Sequence, residues 1–302
     1  MANNEMKTLR FGIEIEVVGA DRAQLAQAVA TAVGGRIVAQ WVVVDTQERR
    51  WNIVPDGSLS SERAGEVVSP ILTWEDIELL QAVVRSLRAI GGRADSSCGI
   101  HIHVDGATLD GKAVKNLMKM VAKQERYIEQ ALGIASHRLQ RYCRPVSDAL
   151  LTAFDRVPVD ERARLSTAWY GTFGGSAQRY DGSRYHGVNL NSLFFRGTLE
   201  FRYFNGTLHA GEVKAYVQLV LAMAAKALSS KAASSKRREF NPATAKYDFR
   251  VVLLHLGLIG EEFKTARLHL TKKLAGSAAW KGERRDRRPA MDTQPATESE
   301  EV

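Results

Sequence analysis

Alternation of apolar and polar positions is the strongest signal along this chain. Seven short runs carry it: Thr8–Val18, Arg36–Val44, Arg50–Val54, Glu66–Ser69, Gly99–Val104, Gly187–Phe194 and Thr198–Phe204. They are rich in β-branched and aromatic residues, which suit a pleated, half-buried surface, and are predicted to be strands. Four other segments repeat their apolar positions at helical spacing: Arg22–Ala32, Trp74–Ile90, Gly111–Leu132 and Gly211–Leu228. In the third, Val114, Leu117, Met118, Val121 and Tyr127 form one stripe. Strand pairs with no helix between them favour an antiparallel sheet with helices packed on it. The fold class expected for residues 7–228 is therefore α+β. Residues 133–186 show little periodicity and read as a loop-rich insertion.

Composition changes near residue 228. Leu228 to Arg238 reads LSSKAASSKRR, a small-residue, basic linker. Tyr247 to Leu274 is helical in pattern, with Phe249, Val252, Leu253 and Leu256 on a stripe. The division expected is a domain at 7–228, a basic linker and helical region at 229–275, and a tail at 276–302. The tail has almost no apolar content and is predicted to be disordered.

The 302 residues are 45% apolar and 25% charged, which excludes a fibrous or wholly disordered chain. The net charge of +8 raises anionic partners: nucleic acid, an anionic membrane or an anionic substrate. Its distribution narrows them. Residues 226–302 hold 16 Lys+Arg against 10 Asp+Glu, whereas residues 1–225 hold 26 against 24. Most of the excess thus belongs to the C-terminal quarter. Cys98 and Cys143 are too few for a disulfide framework. No run approaches the ~20 apolar residues that span a bilayer, and the N-terminus lacks a signal-peptide pattern. A cytoplasmic protein is expected.

Four motifs offer chemistry. In FGIEIE, Glu14 and Glu16 share one strand face and Ile13 and Ile15 the other. Adjacent carboxylates repel unless a cation lies between them, and Mg²⁺ favours oxygen ligands. A solvated strand face gives the same alternation. In CGIHIHVD, His101 and His103 share a face, suited to a metal or to phosphate; no further Cys/His cluster completes a zinc set. In TLEFRYF, Glu200 and Arg202 share a face, either as a simple ion pair or as metal ligand and phosphate fork. In GEVVSP, Glu66 is a further acidic ligand or an edge carboxylate. The stretch RYDGSRYHGVNLN holds Arg184, His186, Asn189 and Asn191, the two asparagines placed on one strand face to hydrogen-bond a substrate. Arg141 and Arg144 are phosphate donors or solvated charges. Phosphate-binding loops of the GxxxxGK[ST] and GxGxxG types are absent, as is a GxSxG elbow.

FGIEIE, DGSL, GEVVSP, CGIHIHVD, VNLN and TLEFRYFNGTL, in that order from Phe11 to Met223, resemble the putative amidoligase family. That family belongs to the carboxylate–amine ligases with a glutamine-synthetase-like fold. The resemblance implies a funnel-shaped antiparallel sheet and an ATP- and Mg²⁺-dependent ligase that activates an acid as its acyl phosphate. It implies Glu14, Glu16, Glu66, Glu200 and His101 or His103 as metal ligands. Arg202 would hold phosphate, and His101, His103, Asn189 and Arg184 would contact the nucleotide. Asp56 and Glu62, between two motifs, are candidate bases for the attacking amine.

The expected partners are small-molecule or peptide carboxylates and amines. Two alternatives remain beside this reading. One is a metal-dependent hydrolase using Glu14, Glu16, His101 and His103. The other is a nucleic-acid-binding protein acting through its basic C-terminal segment. Glu298, Glu300 and Glu301 offset that basic run, and no aromatic platform accompanies it.

Overall fold

A computed structural model describes residues 2–281, and every strand pair in it is antiparallel. The strands are β1 (Phe11–Val18), β2 (Arg36–Ala39), β3 (Val42–Val44), β4 (Arg50–Val54), β5 (Ala64–Val68), β6 (Gly99–Asp105), β7 (Val188–Asn189) and β8 (Thr198–Asn205). They form one sheet in the order β2-β3-β4-β5-β1-β6-β8-β7. The helices are α1 (Ala2–Thr8), α2 (Arg22–Val33), α3 (Ile77–Ala89), α4 (Gly111–Leu132), α5 (Ser136–Arg141) and α6 (Asp148–Asp155). They continue with α7 (Arg162–Phe173), α8 (Leu190–Arg196), α9 (Ala210–Ser229), α10 (Ala245–His255) and α11 (Lys264–Thr271). The α+β class and the antiparallel sheet agree with the sequence pattern.

Period-two alternation sets the two faces of the sheet. Ile13, Ile15 and Val17 of β1, Ile100, Ile102 and Val104 of β6, and Leu199 and Phe201 of β8 are buried in the apolar core. The intervening positions carry Glu14, Glu16, His101, His103, Glu200 and Arg202. α9 is buried along nearly its whole length, as expected of a helix apolar on all sides. It packs against α1, α3, α4, α11 and β6. Helix starts follow from local chemistry: Asp21 and Gln24 form a capping box on α2, and Asp110 accepts from the Ala113 amide on α4.

Several expectations are corrected. Gly187–Phe194 is not one strand. Only Val188 and Asn189 pair; Asn189 then caps α8, and Gly197 closes that helix in the left-handed conformation. Asn189 and Asn191 therefore lie on a strand and a helix rather than on one strand face. Residues 133–186, expected to be loop-rich, also hold three helices, α5, α6 and α7, that their weak periodicity did not announce. The run Arg36–Val44 is a hairpin broken at Trp41, which has a φ of 65°. The helical pattern of Tyr247–Leu274 resolves into α10 and α11.

The stretch after α9 is extended but anchored. Arg237 pairs with buried Glu125 of α4, and Arg238 with buried Asp248 of α10. Phe249 and Phe263 are fully buried. Residues 282–302, which include most of the predicted tail, lie outside the described residues. Cys98 and Cys143 are buried free thiols. Among the described residues, no helix is long and apolar enough to cross a membrane.

Candidate active site

The open face of the sheet collects the charged residues of four adjacent strands. β1 pairs with β5, setting Glu16 opposite Glu66, and with β6, setting Glu14 opposite His101. β6 pairs with β8, setting His103 opposite Glu200. These registers alone bring the predicted motifs together. His101 Nδ1 donates to Glu14 Oε2 at 3.1 Å and lies 3.8 Å from Glu200 Oε1. His103 Nε2 lies 3.3 Å from Glu14 Oε1, and its Nδ1 is 3.1 Å from Thr198 Oγ1. The two oxygens of Glu14 thus face two different histidines.

Arg202 Nη1 donates to Glu200 Oε1, and its Nε donates to the Tyr142 carbonyl at 3.3 Å. Asn189 Nδ2 donates to Glu200 Oε2 at 2.6 Å, while its Oδ1 accepts from the Ser192 amide. Asn189 therefore orients Glu200 with both ends of its side chain committed. The Gly99 amide donates to Glu16 Oε2 at 2.5 Å.

These contacts set the charge states. Burial acts to raise Glu14, but His101 and His103 outweigh it and hold the carboxyl well below its ordinary value. Burial opposes ionisation of Glu200 too, yet Arg202, His103 and His101 bring it down to about 2. His103 rises despite its burial because Glu200 and Glu14 favour the imidazolium. Glu66 behaves in the opposite way. Burial, and then repulsion from Glu14, Glu16 and Asp56, push it up to about 9. Glu16 is raised chiefly by burial. At Glu66 the neighbouring carboxylates outweigh Arg202, so positive charge added there would favour its ionised form.

Three groups are spaced to hold a metal ion, each with ligand atoms within 4.8 Å of one another. They are Glu16, Asp56 and Glu66; Glu14, Glu66 and His101; and Glu14, His103 and Glu200. An oxygen-dominated donor set with one histidine at most per group fits a hard divalent cation better than zinc. Each histidine of the pair enters a different one of these groups.

A cavity of about 640 Å³ covers the Glu16 end of this row. Its floor includes Glu14, Glu16, Glu66 and His101, and Asp56 stands at its side. Arg138, Arg179, Arg184, Arg196 and Arg202 line the same cavity. A second cavity of about 310 Å³ lies towards His103, with Phe11, Val68, Pro70 and Val104 among its walls. Glu14 and Arg196 line both cavities.

A family model described as putative amidoligase enzyme matches residues 7–224. This chain belongs to that family. The matched span of this amidoligase-family chain includes every strand and all three groups above. No curated protein matches it. Among solved structures it is similar to a bifunctional glutathione synthetase from Pasteurella multocida, with 12% identity and a TM-score of 0.42. The alignment covers 90% of this chain and 48% of that one, so this family member spans about half the length of that enzyme.

Other predicted residues fall differently. Arg184 lines the main cavity beside Tyr180 and Tyr185. Glu62 is exposed and does not line it. His186 is buried against Trp169 and Phe173, and burial lowers it to about 4, the environment of a core residue. Asn191 is held by Tyr170 and the Gln178 carbonyl. Arg144 caps the Tyr185 and Gly182 carbonyls. Sequence reasoning missed Asp56 as a member of a cation group, and Arg138, Arg179 and Arg196 as cavity residues. The DG turn marked the loop of Asp56; nothing in the aperiodic stretch around Arg138 marked that residue.

Proposed function

We propose that this protein is a Mg²⁺- and ATP-dependent ligase that joins a carboxylate to an amine through an acyl phosphate. The observation that carries the reading is that two of the three cation-sized groups, joined to the third through Glu14, line one cavity together with five arginines. Such a combination suits a reaction in which phosphate moves onto an acid. Family membership supports amide-bond chemistry.

A free carboxylate is a poor electrophile, because its charge repels a nucleophile and its oxygen leaves badly. When a carboxylate oxygen attacks the terminal phosphorus of ATP, ADP leaves and that oxygen becomes part of an acyl-phosphate group; the amine then attacks the carbonyl carbon and inorganic phosphate departs. Mg²⁺, when bound, would supply charge neutralisation between the phosphates and the acid. Glu14, Glu16, Glu66, His101, His103 and Glu200 are the residues that would hold it. Arg202, fixed by Glu200 and the Tyr142 carbonyl, keeps Nη2 uncommitted for a phosphoryl oxygen. We assign the base and sugar of the nucleotide to the second cavity, whose walls are largely apolar, and the acid to the main cavity. The amine must lose a proton to attack. Of the two loop carboxylates, Asp56 is the one that lines the cavity and can accept it.

The test uses purified protein with Mg-ATP. Calorimetry is expected to show saturable binding that requires Mg²⁺. ADP and phosphate should accumulate only when an acid and an amine are supplied together. Glu14→Gln is expected to lower turnover by at least about a hundredfold, since one carboxylate serves two of the groups. Absence of Mg-ATP binding would sink the reading.

A further inference from the structure

The strongest unassigned feature is Arg138, on the short helix α5. It is only 4% exposed, yet it lines the main cavity. The Nη1–Nη2 edge of its guanidinium lies against Gly99: a Cβ added at Gly99 would stand 2.7 Å from both Nη1 and Nη2 and 3.0 Å from Cζ. Gly99 is therefore the residue that admits this side chain to the floor of the site, next to Glu16. Among the described residues, the guanidinium of Arg138 makes one hydrogen bond, from Nη2 to the Arg202 carbonyl at 3.2 Å. Its Nε is buried with no partner. It has no salt-bridge partner among the described residues, unlike Arg202, which Glu200 neutralises. Glu16 acts on it only from beyond ion-pair distance, and a buried guanidinium with no close ion pair is costly, since burial disfavours its charged form. Such a group is expected where a ligand brings the missing negative charge.

We propose that Arg138 seats a second carboxylate of the acid substrate, distinct from the one that is activated, so that the substrate class is dicarboxylic. The inference rests on the ligase reading and adds the substrate class to it. Position separates this seat from the nucleotide. Gly99 and His103 are four residues apart on β6, about 13 Å along the strand. Arg138 thus stands at the Glu16 end, and the cavity assigned to the nucleotide base at the His103 end. Arg179 and Arg184 also line this cavity, with no salt bridge among the described residues, which extends the preference for an anionic ligand. The planar fork of an arginine suits a carboxylate through two parallel N–H donors.

Calorimetry on the full chain, with Mg²⁺ and a non-hydrolysable ATP analogue present, compares glutarate with butyrate. The two acids have similar length and differ by one carboxylate. The unaltered protein is expected to bind glutarate at least about tenfold more tightly, and Arg138→Met to reduce the preference to within about twofold. Arg138→Lys should restore part of it. Gly99→Ala is the second variant: it keeps the charge, displaces the guanidinium and should also erase the preference. Equal affinity for both acids, no binding of either, or a preference that survives both substitutions would overturn the proposal. So would loss of analogue binding in Arg138→Met, which would give the guanidinium to a nucleotide phosphate. If the analogue fails to bind the unaltered chain, the ligase reading itself fails, and the two acids are still compared with Mg²⁺ alone.

Discussion

Glu66 is the carboxylate of the site most strongly shifted towards its neutral form. Its carboxyl is held at about 9, so it is protonated at neutral pH in the metal-free protein. Because the folded value lies above the ordinary 4.5, its contribution to stability is complete below that pH. The contribution is lost as the pH rises towards 9. Without divalent cation, the melting temperature should therefore fall across this range, and Glu66→Gln should flatten the fall. Cation binding at pH 7 must displace the Glu66 proton. Calorimetry in two buffers of different ionisation enthalpy should detect release of about one proton for Mg²⁺ bound at this group, and none in Glu66→Gln. Individual residues were legible in the sequence where a strand supplied the geometry. Glu14, Glu16, His101, His103, Glu200 and Arg202 fell on shared faces because side chains alternate along a strand. Asp56 and Arg138 were not legible in their roles, since a loop and a six-residue helix carry no periodic signature.

Elements differ in how clearly their residues announce them. β1, β6 and β8 have strict alternation, and their register follows from burying one face. α6 is only 8 residues long, and α7 carries just two buried residues, so neither raises a stripe above its background. β7 reads as a longer strand because Leu190 and Leu193 continue its apolar pattern. The cap made by Asn189 redirects those positions into α8. The stretch after α9 illustrates a related ambiguity. Its basic residues look like a solvated linker, but Arg237 reaches Glu125, the Val146 carbonyl and Asp148. Glu125 is buried, also accepts from the Val146 amide and Tyr203, and is pushed up to about 7 by burial. Arg237→Ala removes its counter-charge and should cost about 2 kcal/mol in urea unfolding. The loss should be larger at pH 8 than at pH 6, because Glu125 is then asked to remain charged.

At the scale of the molecule, the matched family span ends at residue 224, yet the packed structure continues. α10 and α11 bring Phe249, Phe263 and Leu270 into the common core. A chain truncated after residue 228 should melt roughly 10 °C or more below the full chain and bind a hydrophobic dye, as scanning fluorimetry would show. Unchanged melting would mean that the C-terminal helices contribute nothing to the fold. The charge excess also takes on a different meaning. Part of it forms ion pairs that fasten this segment to α4 and α6. Burial has one further consequence, for the two thiols beside the site. Cys98 precedes the glycine under Arg138, and Cys143 follows the tyrosine that accepts from Arg202. Desolvation lifts both to about 11, leaving almost no thiolate at neutral pH. Alkylating reagents should therefore react with them only slowly in the folded protein. The rate of that labelling becomes a clock for how often the floor of the cavity opens to water.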